Sequence, residues 1–182
     1  VVVPATSSQA LECIGSLAAA LPADVVVGAG MVLTAAGVAE AAGAGCTLIV
    51  SPNVDGQVIG RTKALGLISL PGVCTLTEAL DALQLGADGL GAFPWQQLPP
   101  RTIRAWREEL PRAALLMPAG DLAPEALHEY TAAGASGFCV GPGAFLPGEG
   151  PDVVRSRAAA FVGACRTAGA GTKRTASPGA RC

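Results

Sequence analysis

Leu67-Ile-Ser-Leu-Pro-Gly-Val-Cys-Thr-Leu-Thr-Glu-Ala-Leu-Asp-Ala-Leu-Gln-Leu-Gly-Ala-Asp-Gly-Leu-Gly-Ala-Phe-Pro94 holds a complete strand, turn, helix and strand in one stretch. The apolar run Leu67 to Leu70 stops at Pro71-Gly72, a turn pair. Thr75-Leu-Thr-Glu78 then has capping-box spacing: the threonine hydroxyl accepts from the N–H three residues on, and the glutamate reaches back to the threonine N–H. Leu76, Leu80 and Leu83 predict the inward face of a helix that stops at Gly86. Asp88 to Phe93 is strand-like again and ends at Pro94.

Outward from this unit the same grammar recurs. Val1 to Val3, ended by Pro4, does not alternate and predicts a strand buried on both faces. Val25 to Ala29, Thr47 to Val50, Ala113 to Met117 and Ser136 to Val140 are further strands, each punctuated by small residues or proline. Ser7 or Ser8 is placed to cap a helix to Ala20 carrying Leu11, Ile14 and Leu17 on one face, and Thr34 one through Ala42. Asp55 opens a helix with Val58, Ile59 and Leu65, and Pro99-Pro100 one with Ile103, Trp106 and Leu110. Pro124 starts a helix to Ala133, and Asp152 one to about Thr167. Seven strands alternating with seven helices predict an α/β chain of parallel strands, a barrel or a doubly wound sheet. Such folds place chemistry at the carboxyl ends of their strands, where the punctuation falls. Residues 1–168 are expected to form this unit, and 169–182, without periodicity, a disordered tail.

Composition narrows the function. The chain has 182 residues, 51% hydrophobic and 14% charged, with a net charge of −2, enough to bury one core. No basic stripe exists to meet a run of phosphates, so nucleic acid is excluded as a partner. No apolar run is long enough to span a membrane, and a cytoplasmic location is expected. Six scattered cysteines (13, 46, 74, 139, 165 and 182) form no CxxC pair, and reduced, buried thiols are the ordinary expectation. The lone histidine, His128, sits on a surface-patterned helix, so no metal site and no cofactor are expected. Arg101, Arg104 and Arg107 read as one solvated stripe. Trp95 reads equally as a lid or a surface aromatic, and Trp106 as core.

The motifs Gly28-Ala-Gly30-Met-Val-Leu33, Ile49-Val-Ser-Pro-Asn53, Leu70-Pro-Gly-Val73, Phe93-Pro94 and Pro118-Ala-Gly120 together resemble the 2-keto-3-deoxy-6-phosphogluconate and 6-phosphogalactonate aldolases. Val3-Pro4, Ser51-Pro52-Asn53 and Ala158-Ala-Ala-Phe-Val162 lean toward the phosphogalactonate branch. The resemblance implies a (β/α)8 TIM-type barrel. The abrupt opening on Val1 then makes the first β/α unit the absent one. It also implies a homo-trimer and a lyase that yields pyruvate and glyceraldehyde 3-phosphate through a lysine Schiff base, with a glutamate moving protons. The implied ligand contacts are Gly30, Ser51, Pro71, Gly72, Thr75, Phe93, Pro94, Gly120 and Gly141.

Carried over residue by residue, the resemblance is broken at its centre. The lysine position is Gly91, the glutamate position Val2, the threonine after Gly30 is Met31, and the second-strand arginine or asparagine is Thr6. In the phosphate cradle, Asp121 follows Gly120, and Pro142, without N–H or hydroxyl, follows Gly141. Asp121 beside a phosphate costs about 4 kcal/mol per charge pair at ~4 Å and an effective dielectric of ~20. The two lysines, Lys63 on a helix and Lys173 in the tail, are expected to be solvated and out of reach. The sequence therefore predicts an aldolase-family lyase with absent or impaired Schiff-base turnover, a possible pseudoenzyme of carbohydrate metabolism. The alternative is a non-catalytic barrel binding a keto acid or phosphosugar, or a partner subunit in a mixed trimer. Metal-assisted aldol chemistry has least support, because Asp121, Asp55 and Glu78 are the only carboxylates near strand ends and the last two read as helix caps.

Overall fold

The computed structural model describes residues 1–141 and 143–169. Pro142 and the tail expected beyond Gly169 lie outside the described residues.

Seven parallel strands follow one another in chain order, each paired with its sequence neighbour. They are β1 (Val2–Pro4), β2 (Gly28–Gly30), β3 (Leu48–Ser51), β4 (Ile68–Val73), β5 (Gly89–Ala92), β6 (Leu115–Gly120) and β7 (Cys139–Val140). Between and after them run α1 (Ala10–Ala20), α2 (Ala35–Gly43), α3 (Gly56–Ala64), α4 (Leu76–Gln84), α5 (Pro100–Glu109), α6 (Leu127–Ala132) and α7 (Pro151–Gly169). This order makes a curled sheet of the β/α barrel type, with β1 and β7 both bordering its central cavity.

The core lies between sheet and helices. Leu90 and Leu116 on the outward faces of β5 and β6 are buried with Ile103, Trp106, Leu127 and Tyr130. Ala29 and Ile49 of β2 and β3 are buried with Ile14, Val38 and Val58. Each fully buried leucine or isoleucine contributes ~2 kcal/mol of transfer free energy.

The predicted caps form where side chains can reach the orphan N–H groups of the first turn. The Thr34 hydroxyl accepts from Gly37 N at 3.0 Å, and Asp55 Oδ1 accepts from Gln57 N at 2.8 Å and Val58 N at 3.0 Å. Thr75 Oγ1 accepts from Glu78 N at 3.2 Å, while Glu78 Oε2 accepts from Cys74 N and Thr75 N, both at 2.8 Å. The Cys74 N–H foremost, helped by the Thr75 hydroxyl and N–H, holds the Glu78 carboxyl below its usual range. A carboxylate held low in the folded state stabilises it above the unfolded value and loses that contribution as pH falls through the folded value. Thr75→Ala should lower stability by about 1 kcal/mol at pH 7. In thermal melts the gap between Glu78→Gln and the parent should close as pH drops below ~4.

Several expectations are corrected. α1 begins at Ala10 with Gln9 at its cap and no side-chain cap bond, so neither Ser7 nor Ser8 caps it. Leu11 is 44% exposed and Leu80 is 45% exposed; Ala79 and Ala82 form the buried face of α4, because small side chains let it sit close to the sheet. β2 starts at Gly28, since Val25 is held in a turn by its bond to the Pro22 carbonyl. Residues Pro124–Ala126 form a 3-10 turn before α6. Arg107 leaves the solvated stripe: its Nη1 donates to the Ala114 carbonyl at 2.9 Å, and Nε and Nη2 are buried. The five described cysteines are unpaired; Cys46 is buried, while Cys13 and Cys165 are exposed. Lys63 is not merely solvated: its Nζ bonds both carboxylate oxygens of Asp88 and the Leu67 carbonyl. Among the described residues no helix is long and apolar enough to cross a membrane.

Candidate active site

Side chains alternate along each strand, so the residues between the outward core positions face the barrel centre. They enclose a cavity of about 540 Å³ that runs toward the strand carboxyl ends. Leu48 and Val50 of β3, Leu70 of β4, Met117 and Ala119 of β6 and Cys139 of β7 line it. Gly30, Gly72 and Gly91 border it without side chains, and that missing volume keeps the centre open.

Gly91 lies between Gly72 of β4 and Met117 of β6 in the strand register. Its outward neighbours Leu90 and Ala92 are fully buried, so position 91 faces inward. A Cβ built on it would meet the Pro71 carbonyl oxygen at 3.5 Å and Gly72 Cα at 3.8 Å, ordinary contact distances. Across the barrel, Val2 also lines the cavity, and its Cγ1 stands 2.9 Å from where a Cβ on Gly30 would lie. The two positions that the resemblance gives to amine and proton carrier thus face one cavity, holding a hydrogen and an isopropyl group.

Of the expected ligand contacts, Gly30, Ser51, Gly72, Phe93, Gly120 and Gly141 border the cavity together. Pro71, Thr75 and Pro94 do not; Thr75 is engaged as the cap of α4. Ser51 is buried to 3% exposure, whereas Phe93 is 44% exposed at the rim. Met31 borders the cavity with a left-handed backbone (φ 58°), a conformation costly for a residue with a Cβ. On its other side lies a groove of about 320 Å³ between the starts of α1 and α2, bordered by Ser7, Ser8, Thr34 and Glu40.

Sequence reasoning left Trp95 open between lid and surface. The indole instead backs Gly120, with Cδ1 2.7 Å from where a Cβ would stand, and meets Tyr130 edge-on at 6.4 Å. Asp121 Oδ1 lies 3.0 Å from the Cβ position of Gly143, beside the loop leaving β7. Burial pushes the Cys139 thiol up to about 11, so it is protonated at neutral pH. Met117 and Cys139 were missed because both faces of β6 and β7 are apolar, and a period of two carries no sign there. Lys63, the one lysine among the described residues, is tied to Asp88 at the amino end of β5, opposite the cavity mouth. No three metal-ligating side chains converge among the described residues.

Parallel strands in chain order, a covering of helices and a cavity opening at their carboxyl ends define a barrel-type α/β protein with an enzyme-like pocket. A sequence model of the KDPG and KHG aldolases matches residues 1–156, and the chain belongs to that family. It is 35% identical over 166 residues to the 2-dehydro-3-deoxy-6-phosphogalactonate aldolase of Escherichia coli (strain K12), spanning 91% of this chain and 81% of the relative. A solved native KDPGal structure superposes with a TM-score of 0.89 at 35% identity, covering 92% of this chain and 81% of that one. A cube-shaped cage designed by fusing symmetric oligomeric domains also matches, with a TM-score of 0.89 at 34% identity, covering 92% of this chain and 62% of that one.

Proposed function

We propose that this chain is an aldolase-family barrel that keeps a keto-acid pocket and lacks Schiff-base turnover, acting in the cytoplasm as a trimer. The observation that carries this is Gly91. An iminium requires a primary amine, and the inward position aligned with the family's lysine offers no side chain. Lys63 is drawn away by Asp88, and reaching the cavity would break that pair and cross the sheet. Val2 supplies no proton carrier, which in general acid–base catalysis is worth about 10²- to 10⁴-fold. Asp121 adds a charge unfavourable to phosphate beside the β6 end.

Incubation with pyruvate and sodium borohydride tests this directly. The expected result is no covalent adduct on any lysine by mass spectrometry, together with pyruvate binding measurable by calorimetry. A trapped adduct would overturn the loss of Schiff-base chemistry, and no binding at all would overturn the retained pocket.

A further inference from the structure

We infer that the ligand of the central cavity is an unphosphorylated 2-keto acid with an apolar tail, the tail seated among Leu48, Val50, Leu70 and Met117. The keto-acid head rests on the function just proposed; the tail and the missing phosphate rest on the lining itself. Among the described residues bordering the cavity no side chain carries a charge, and Ser51 supplies the one side-chain hydroxyl. A hydroxylated, phosphorylated chain would leave water for a wall of methyl and methylene groups without replacement hydrogen bonds. At the far end, the residue after Gly120 is a carboxylate, and Asp121 Oδ1 reaches the start of the loop after β7. The neutral thiol of Cys139 offers a phosphate no more than a weak S–H donor. An alkyl tail meets none of these penalties, and about 540 Å³ is within the range of small-molecule sites. The carboxylate of such a ligand points to the open mouth, where water solvates it.

Calorimetry on the full chain with pyruvate, 2-oxobutanoate, 2-oxopentanoate and 2-oxohexanoate tests the tail. Affinity should rise about fourfold for each added methylene. 3-Phosphoglycerate should bind at least ~30-fold more weakly than 2-oxohexanoate, the equivalent of about two and a half such steps. Gly91→Leu, which fills the centre, should flatten the series while melting as the parent does. A flat series in the parent, or tighter binding of the phosphorylated acid, would overturn the inference. The head is tested apart from the tail: hexan-1-ol binding as tightly as 2-oxohexanoate would overturn the keto-acid reading and leave the tail preference standing. Borohydride trapping of 2-oxohexanoate on a lysine would overturn only the absence of Schiff-base chemistry.

Discussion

Gly91→Lys should convert this chain from one that traps no pyruvate to one in which most molecules carry a borohydride-reduced adduct at residue 91. Space permits the change: the nearest groups to the new Cβ are backbone atoms of Pro71 and Gly72 at 3.5 Å and beyond. Position 91 has no left-handed backbone demand, so a side chain adds no conformational strain. The four-carbon stem would run among Leu70 and Met117, burying methylenes while carrying the amine toward the mouth. Desolvation there disfavours the ammonium and lowers its pKa, which raises the share of free amine able to attack a keto carbon. Attack expels water after a carbinolamine, and borohydride fixes the iminium as a secondary amine. Cleavage of a phosphorylated keto-deoxy acid should stay weak in this variant, because Val2 still moves no proton. Adding Val2→Glu should raise it by about 10²-fold or more. Peptide mass mapping after reduction checks the first step and a coupled pyruvate assay the second. A Gly91→Lys protein that melts like its parent yet takes up no label would remove residue 91 from the centre of the site.

What the sequence disclosed and what it hid divide by range. The capping box at Thr75 and Glu78 and the Asp55 cap were legible because every partner lies within a few residues. The seven parallel strands were legible from the repeated strand–turn–helix grammar, but their sequential order was not, because the same grammar fits a doubly wound sheet; the barrel came with the resemblance. The inward face of α4 was legible in part: Leu76 and Leu83 pack on the core, but Leu80 is exposed, and the fully buried contact goes to Ala79 and Ala82 because small side chains let the helix sit close to the sheet. Arg107 looked like one of three surface arginines until the turn after α6 closed over its stem, leaving its Cγ 2.5 Å from the Cβ position of Gly134. The cavity lining was the least legible part. Central parallel strands are apolar on both faces, so Met117 and Cys139 gave no hint of pointing inward, and Gly91 was found only through the resemblance. Pocket chemistry in this chain is defined by what its side chains lack, and a missing amine leaves no periodicity to read.

One methyl group should act with opposite sign at two glycines. Gly60→Ala, in the middle of α3 with nothing within 4 Å of its new Cβ, should stabilise the fold by about 0.5–1 kcal/mol by reducing the freedom of the unfolded chain. Gly72→Ala should destabilise it by ~3 kcal/mol or more. A Cβ there would stand 2.5 Å from the Pro52 carbonyl oxygen, 2.7 Å from its carbon and 3.1 Å from the Ser51 oxygen. All three are backbone atoms, so no rotamer change relieves the contact; either the end of β3 or the whole of β4 must shift. Overpacking usually costs about 1–3 kcal/mol when side chains can yield, and here they cannot. The shift would also reach the cavity, because Ser51, Pro52 and Gly72 border it together. Urea titration of the two variants against the parent measures both effects through the transition midpoint, with the slope as a check that the unfolded state is unchanged. Equal midpoints for Gly72→Ala and the parent would mean that β3 and β4 are free to separate, and that the cavity has no fixed wall on that side.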